Sequence, residues 1–129
     1  MIILQFLVVA AAFAVLDAVW LKSTSRFYRR NLGHLLADKP HLGYAVVFYV
    51  LYIIGIIVFA LRPALDGGSW LTALGYGAAL GTFAYATYDL TNAATLQKWP
   101  LSIVIVDILW GAVLTGLATV AGWLVFHQG

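Results

Sequence analysis

The chain has 129 residues, 64% of them hydrophobic and 9% charged, with a formal net charge of +2 and a mean hydropathy of +0.96. Soluble domains run about 45–50% apolar and about 25% charged, so this composition excludes a water-soluble globular protein. The sequence holds no cysteine, which excludes disulfide frameworks, thiol chemistry and thiolate metal sites, and its five acidic residues are all Asp.

Four apolar segments follow one another, at 2–21, 42–61, 70–94 and 101–126. Each is long enough to cross a hydrocarbon core about 30 Å thick at about 1.5 Å per residue. The expected fold is all-α and membrane-integral: a single domain over 1–129, with four transmembrane helices in a compact bundle. The first segment has no basic residue before it, an apolar run too long for a signal-peptide core and no clean small-x-small cleavage site, so it reads as a retained helix.

The segment 22–40 carries Lys22, Arg26, Arg29, Arg30 and Lys39. On a helix, Tyr28, Leu32, Leu35 and Leu36 share one face, and Arg26, Arg29, Arg30 and His34 share the other. That pattern predicts a short amphipathic interfacial helix between the first two spans, with Arg26, Arg29 and Arg30 toward lipid head groups. The plainer alternative is that these cations only fix topology. Asp38 and Pro40 suit the start of the second span, in which Tyr44, Phe48 and Tyr52 form an aromatic ladder beside the hydroxyl of Tyr49. Pro63 closes that span, and Asp66-Gly67-Gly68-Ser69 predicts a tight turn with Ser69 as N-cap of the third helix. Trp70 falls at the aromatic-belt level, and Trp99-Pro100 opens the fourth span.

Lys and Arg number six in the segments between spans one and two and between spans three and four. The remaining connection carries Arg62 alone. The positive-inside rule then places 22–40 in the cytoplasm and both termini on the other side of a bacterial inner membrane. The basic residues account for the pI near 9.0 without any role for nucleic acid.

Asp17, Asp89 and Asp107 carry the functional reading. An Asp at the centre of a membrane helix costs about 2.5–3.5 kcal/mol on insertion scales, so each needs a partner or a wet cavity. Asp17 lies five positions before Lys22, Asp89 nine before Lys98, and Asp107 seven after Pro100, which puts all three at one depth near the cytoplasmic side. Tyr85, Asp89 and Asn92 form a stripe on the third helix, continued by the small pair Gly77 and Gly81. Asp107, Gly111 and Thr115 do the same on the fourth. Asp-x-x-Trp occurs twice, at Asp17–Trp20 and at Asp107–Trp110. The expected site is a cytoplasm-facing cavity with Asp17, Asp89, Asn92 and Asp107 as binding or proton-switch residues and Trp20, Tyr52, Tyr85 and Trp110 lining it. Set against it is a structural role, in which the carboxyls clamp the bundle or pair with Lys22 and Lys98. Interhelical hydrogen bonds in membranes average about 0.6 kcal/mol, a small return for three carboxylates used only as clamps.

His34, His41 and His127 do not cluster, so no metal site is expected. Neither a phosphate loop, a nucleophile elbow nor a mid-membrane Lys is present, and no cofactor and no assignable catalytic residue are expected. Two residue sets, Thr87-Tyr88-Asp89-Leu90-Thr91-Asn92 with Trp99-Pro100 and Asp107-x-x-Trp110-Gly111, resemble a bacterial family of small predicted membrane proteins, domain of unknown function 2177. The resemblance runs from Asp17-x-x-Trp20-Leu21 to the fourth helix and implies an inner-membrane protein with no catalytic assignment to carry over. In size alone the chain is similar to small multidrug resistance transporters, whose first helix carries Glu where this chain has Asp17. Three functions remain open from sequence: binding or transport of a cationic or amphipathic small molecule or lipid with Asp protonation as the switch, a lipid-modifying enzyme or enzyme subunit at the inner leaflet, and a structural partner in a larger membrane complex. Membrane lipids are the expected partners, and self-association is compatible with so small a bundle.

Overall fold

A computed structural model describes residues 2–36 and 41–128; the expectations placed on Asp38, Lys39 and Pro40 lie outside the described residues. The described chain is helical throughout: α1 (Ile2–Leu32), α2 (Leu42–Leu65), α3 (Trp70–Thr95) and α4 (Leu101–Phe126). Three of these, α1, α2 and α4, are long and apolar enough to cross a membrane. The fourth, α3, has the same length as α4 but carries Gly, Thr, Tyr and Asn residues that lower its hydropathy. It lies against α4, so those small and polar side chains meet another helix.

The segment expected as a separate interfacial helix is instead, as far as Leu32, the last three turns of α1, and His34, Leu35 and Leu36 lie beyond it, in and just after a turn. No Gly or Pro interrupts Ile2–Leu32, and the first breaker is Gly33. At about 1.5 Å per residue α1 is about 46 Å long, well beyond a hydrocarbon core of about 30 Å. Its end is pinned to the start of α4 by Ser102 Oγ donating to Asn31 Oδ1 at 3.1 Å and by Tyr28 donating to Asp107. Tyr28 therefore faces α4 and not a lipid leaflet, while Arg26, Arg29 and Arg30 are exposed.

In α2 the backbone ladder widens to a π-turn over Ile57–Leu61. Pro63 stands two residues further on and does not close the helix as expected, since α2 runs on to Leu65. It has no N–H to give and its ring crowds the carbonyl four residues back, which the widened turn accommodates. Gly67 takes the left-handed conformation (φ 79°) that the α2–α3 turn needs. At the start of α3, Thr72 Oγ1 accepts from the Ser69 backbone N–H at 3.1 Å, consistent with Ser69 at the cap.

The helix pair α3–α4 is the closest in the bundle, because glycines remove the side chains between the backbones. Gly77 faces Thr115, Gly116 and Thr119, Gly81 faces the Gly111 carbonyl, and Gly111 lies under the Tyr85 ring. Val9 and Phe13 of α1, Ile56 and Leu61 of α2 and Leu114 of α4 close the buried core. That core occupies the end of the bundle nearer Arg62. Toward the other end α2 stands away: Leu42 is 71% exposed, Tyr44 79% and Leu51 63%. The expected compact bundle is thus tight at one end and open beside the first half of α2 at the other.

Candidate functional site

Helix geometry brings the three carboxylates to the open end. Gly77, Gly81, Tyr85 and Asp89 succeed one another at four-residue spacing on α3, and Asp107, Gly111, Thr115 and Thr119 do so on α4. A side chain four residues on stays on the same helix face. The two glycine stripes that hold the backbones together therefore end in Asp89 and Asp107, which face each other within hydrogen-bonding reach. Asp89 is fully buried, and its Oδ2 has no donor among the described residues. Its Oδ1 accepts from Trp99 Nε1 at 3.3 Å. Two ionised carboxylates at that separation repel each other, so the pair is satisfied by one proton or one cation shared between them.

Asp17 forms the second centre. Its Oδ2 accepts from Tyr49 of α2 at 2.9 Å and its Oδ1 from Trp110 of α4 at 3.3 Å. The centres are joined by aromatic side chains. Trp110 stacks on Trp20, ring centroids 4.4 Å apart and 7° from parallel. Trp20 donates to the Tyr28 hydroxyl at 3.3 Å, and Tyr28 donates to Asp107. The two Asp-x-x-Trp motifs thus cross on antiparallel helices. Each Trp serves the other motif's Asp, Trp110 directly and Trp20 through Tyr28.

Of the residues expected at the site, Asp17, Asp89, Asp107, Trp20 and Trp110 meet in this network. Tyr52 and Tyr85 lie deeper. The Tyr52 hydroxyl and Thr115 Oγ1 are 2.7 Å apart, and the two Tyr rings pack edge to face at 6.5 Å. Asn92 makes no side-chain hydrogen bond to a carboxylate among the described residues; it sits one turn beyond Asp89, beside Tyr88. Among the described residues, the side chains that donate to these three carboxylates are phenols and indoles, and neither Lys22 nor Lys98 donates to one.

Three contributors were not among the expected site residues. Tyr28 belonged to the apolar face of a separate helix. Tyr49 is, in the sequence, one of several α2 phenols able to donate to a carboxylate, and the structure selects it for Asp17. Trp99 reaches Asp89 because Lys98 adopts a left-handed conformation (φ 61°), which turns the indole back onto α3, edge to face with Tyr88 at 5.9 Å. A Lys in that conformation costs about 1–3 kcal/mol and persists only where its surroundings compensate.

Substituting Tyr28 by Phe tests the link between the two centres. It strips Asp107 of its phenol and Trp20 of its acceptor, and is expected to cost about 1–3 kcal/mol with the helical content unchanged. Chemical unfolding in mixed micelles, read by circular dichroism, measures this; an unchanged midpoint would show that the link carries no energy.

Helices of this length and hydropathy define a small helical membrane protein. The family model for a predicted membrane protein, DUF2177, matches residues 2–124, and the chain belongs to that family. No curated protein and no solved structure gives a match.

Proposed function

We propose that this protein binds a cationic or amphipathic small molecule or lipid at the Asp17–Asp89–Asp107 network, with protonation of an Asp as the switch. The observation that carries this reading is the charge balance. Among the described residues, three carboxylates within helices of a membrane protein take hydrogen bonds from neutral donors, and one of them is fully buried with an oxygen that has no donor there. In a low-dielectric setting such a set takes up either protons or a cation, and the two compete. In this reading the network faces the cytoplasm, both termini lie on the other side of the inner membrane, and the exposed Arg26, Arg29 and Arg30 meet anionic head groups.

The test uses the full chain in nanodiscs. Trp20 and Trp110 report binding by fluorescence as dodecylammonium is titrated in. Saturable quenching is expected, with affinity rising as pH rises, because each bound cation displaces a proton. For one displaced proton the change is about tenfold per pH unit. Non-saturable partitioning, equal in the wild type and in a variant with Asp17, Asp89 and Asp107 all changed to Asn, would overturn the proposal.

A further inference from the structure

The cleft between α1 and α2 shares Asp17 and Tyr49 with the carboxylate network and runs from them away from the Asp89–Asp107 pair. Phe6, Ala10, Ala14 and Asp17 line it from α1, and Tyr49 and Ile53 from α2; its volume is about 470 Å³. Ala10, Ala14 and Ala18 succeed one another at four-residue spacing, a pattern that ordinarily draws a second helix into close contact. Here α2 does not close on it. The small side chains leave a trough with apolar walls, open on its flank to whatever surrounds the helices.

Charge and length specify what fits. Asp17 is the charged group of the trough, and its two hydrogen bonds come from neutral donors. A carboxylate retains acceptor capacity beyond two bonds. Tyr49 and Phe13 pack edge to face beside it, centroids 5.7 Å apart, so aromatic rings flank the position a cation would take. From Asp17 back to Phe6 the trough runs eleven residues along α1, about 16 Å at 1.5 Å per residue, close to half of a hydrocarbon core about 30 Å thick. That is one leaflet's depth of chain, with its polar end at Asp17. An anionic or zwitterionic head would bring a negative charge to Asp17; an ammonium head complements it.

We infer that the α1–α2 cleft is a lateral binding site for a single-chain cationic amphiphile, its ammonium group on Asp17 and its chain lying along Ala14, Ala10 and Phe6. This rests on the proposed function and narrows it: the ligand comes from the plane of the membrane and not from the water at the open end.

A dodecylammonium analogue with a photoreactive diazirine at mid-chain, cross-linked to the full chain in nanodiscs and mapped by mass spectrometry, tests the inference. Adducts are expected on Phe6–Ala14 and on Val50–Ile53. Unlabelled dodecylammonium should compete, and dodecyl sulfate at the same concentration should not. Asp17→Asn is expected to lower the adduct yield about tenfold, as loss of one charge-assisted contact does. Ala14→Phe should fill the trough and abolish the adducts while the Trp20–Trp110 fluorescence and the helical circular dichroism stay at wild-type values. If Ala14→Phe does not fold, Ala14→Leu and the two competitors carry the test. Saturable binding with adducts elsewhere, or adducts indifferent to these variants and equally competed by dodecyl sulfate, would overturn the lateral site and leave the carboxylate proposal standing. No saturable binding at all would overturn both.

Discussion

Gly81→Leu is expected to break the α3–α4 pair and with it the whole bundle. A β-carbon at this position would fall on the backbone of Gly111 and the Thr115 hydroxyl. Backbone cannot rotate aside as a flexible side chain can, so the helices must separate. Overpacking ordinarily costs about 1–3 kcal/mol, and this contact lies at or above the top of that range because no rotamer relieves it. Separation also parts Asp89 from Asp107 and lifts Tyr85 off Gly111, so stability and site fail together. Gly75→Leu supplies the control: it lies on the same helix, and a β-carbon there meets nothing within 4 Å. Thermal unfolding in detergent, followed by size-exclusion chromatography, should show Gly81→Leu lost or aggregated at temperatures where Gly75→Leu matches the wild type. Equal behaviour of the two variants would mean that glycine contact does not hold this interface.

The same glycine contact explains why so much of the fold was legible beforehand. Hydropathy marks the helices to within a few residues except at the end of α1, because crossing a bilayer demands uninterrupted apolar length. The four-residue spacing from Gly77 to Asp89, and from Asp107 to Thr115, marks a small or polar face on each helix; which face each one meets comes from the structure. The extension of α1 was harder to see. An amphipathic pattern over Tyr28–Leu36 fits a helix on a leaflet and a helix docked on α4 equally well. Only the contacts of Tyr28 and Asn31 separate them, and these depend on residues some seventy positions away. Trp99 was hidden for a different reason. Its aim comes from the left-handed Lys98, a conformation that no side-chain pattern announces in a residue other than Gly, Asn or Asp. The opening beside α2 was equally out of reach, since Ala10, Ala14 and Ala18 spell close approach in any sequence reading.

Asp89→Asn is expected to leave the structure intact and remove the switch. The amide has the shape of the carboxyl. Its oxygen keeps the Trp99 hydrogen bond, and its NH₂ can donate to Asp107, replacing the shared proton by a permanent donor. Insertion and thermal stability should therefore stay near wild-type values. Asp89→Leu differs: it leaves the Trp99 indole without its acceptor and should cost about 1–3 kcal/mol. The functional contrast is sharper than the structural one. Under the proposed function, a cation that binds the wild type displaces a proton from the Asp89–Asp107 pair, so affinity is expected to climb with pH by about tenfold per unit for one proton exchanged. With Asn at 89 the pair carries a single fixed charge, and the slope should flatten toward zero across the same range. Any process that cycles between protonated and cation-bound states then stops, although binding itself persists. Isothermal titration in buffers of different ionisation enthalpy counts the released protons directly, with about one expected for the wild type and none for Asp89→Asn. Equal proton release from both would assign the exchange to another group, Asp17 being the remaining carboxyl in contact with Trp110 and Tyr49.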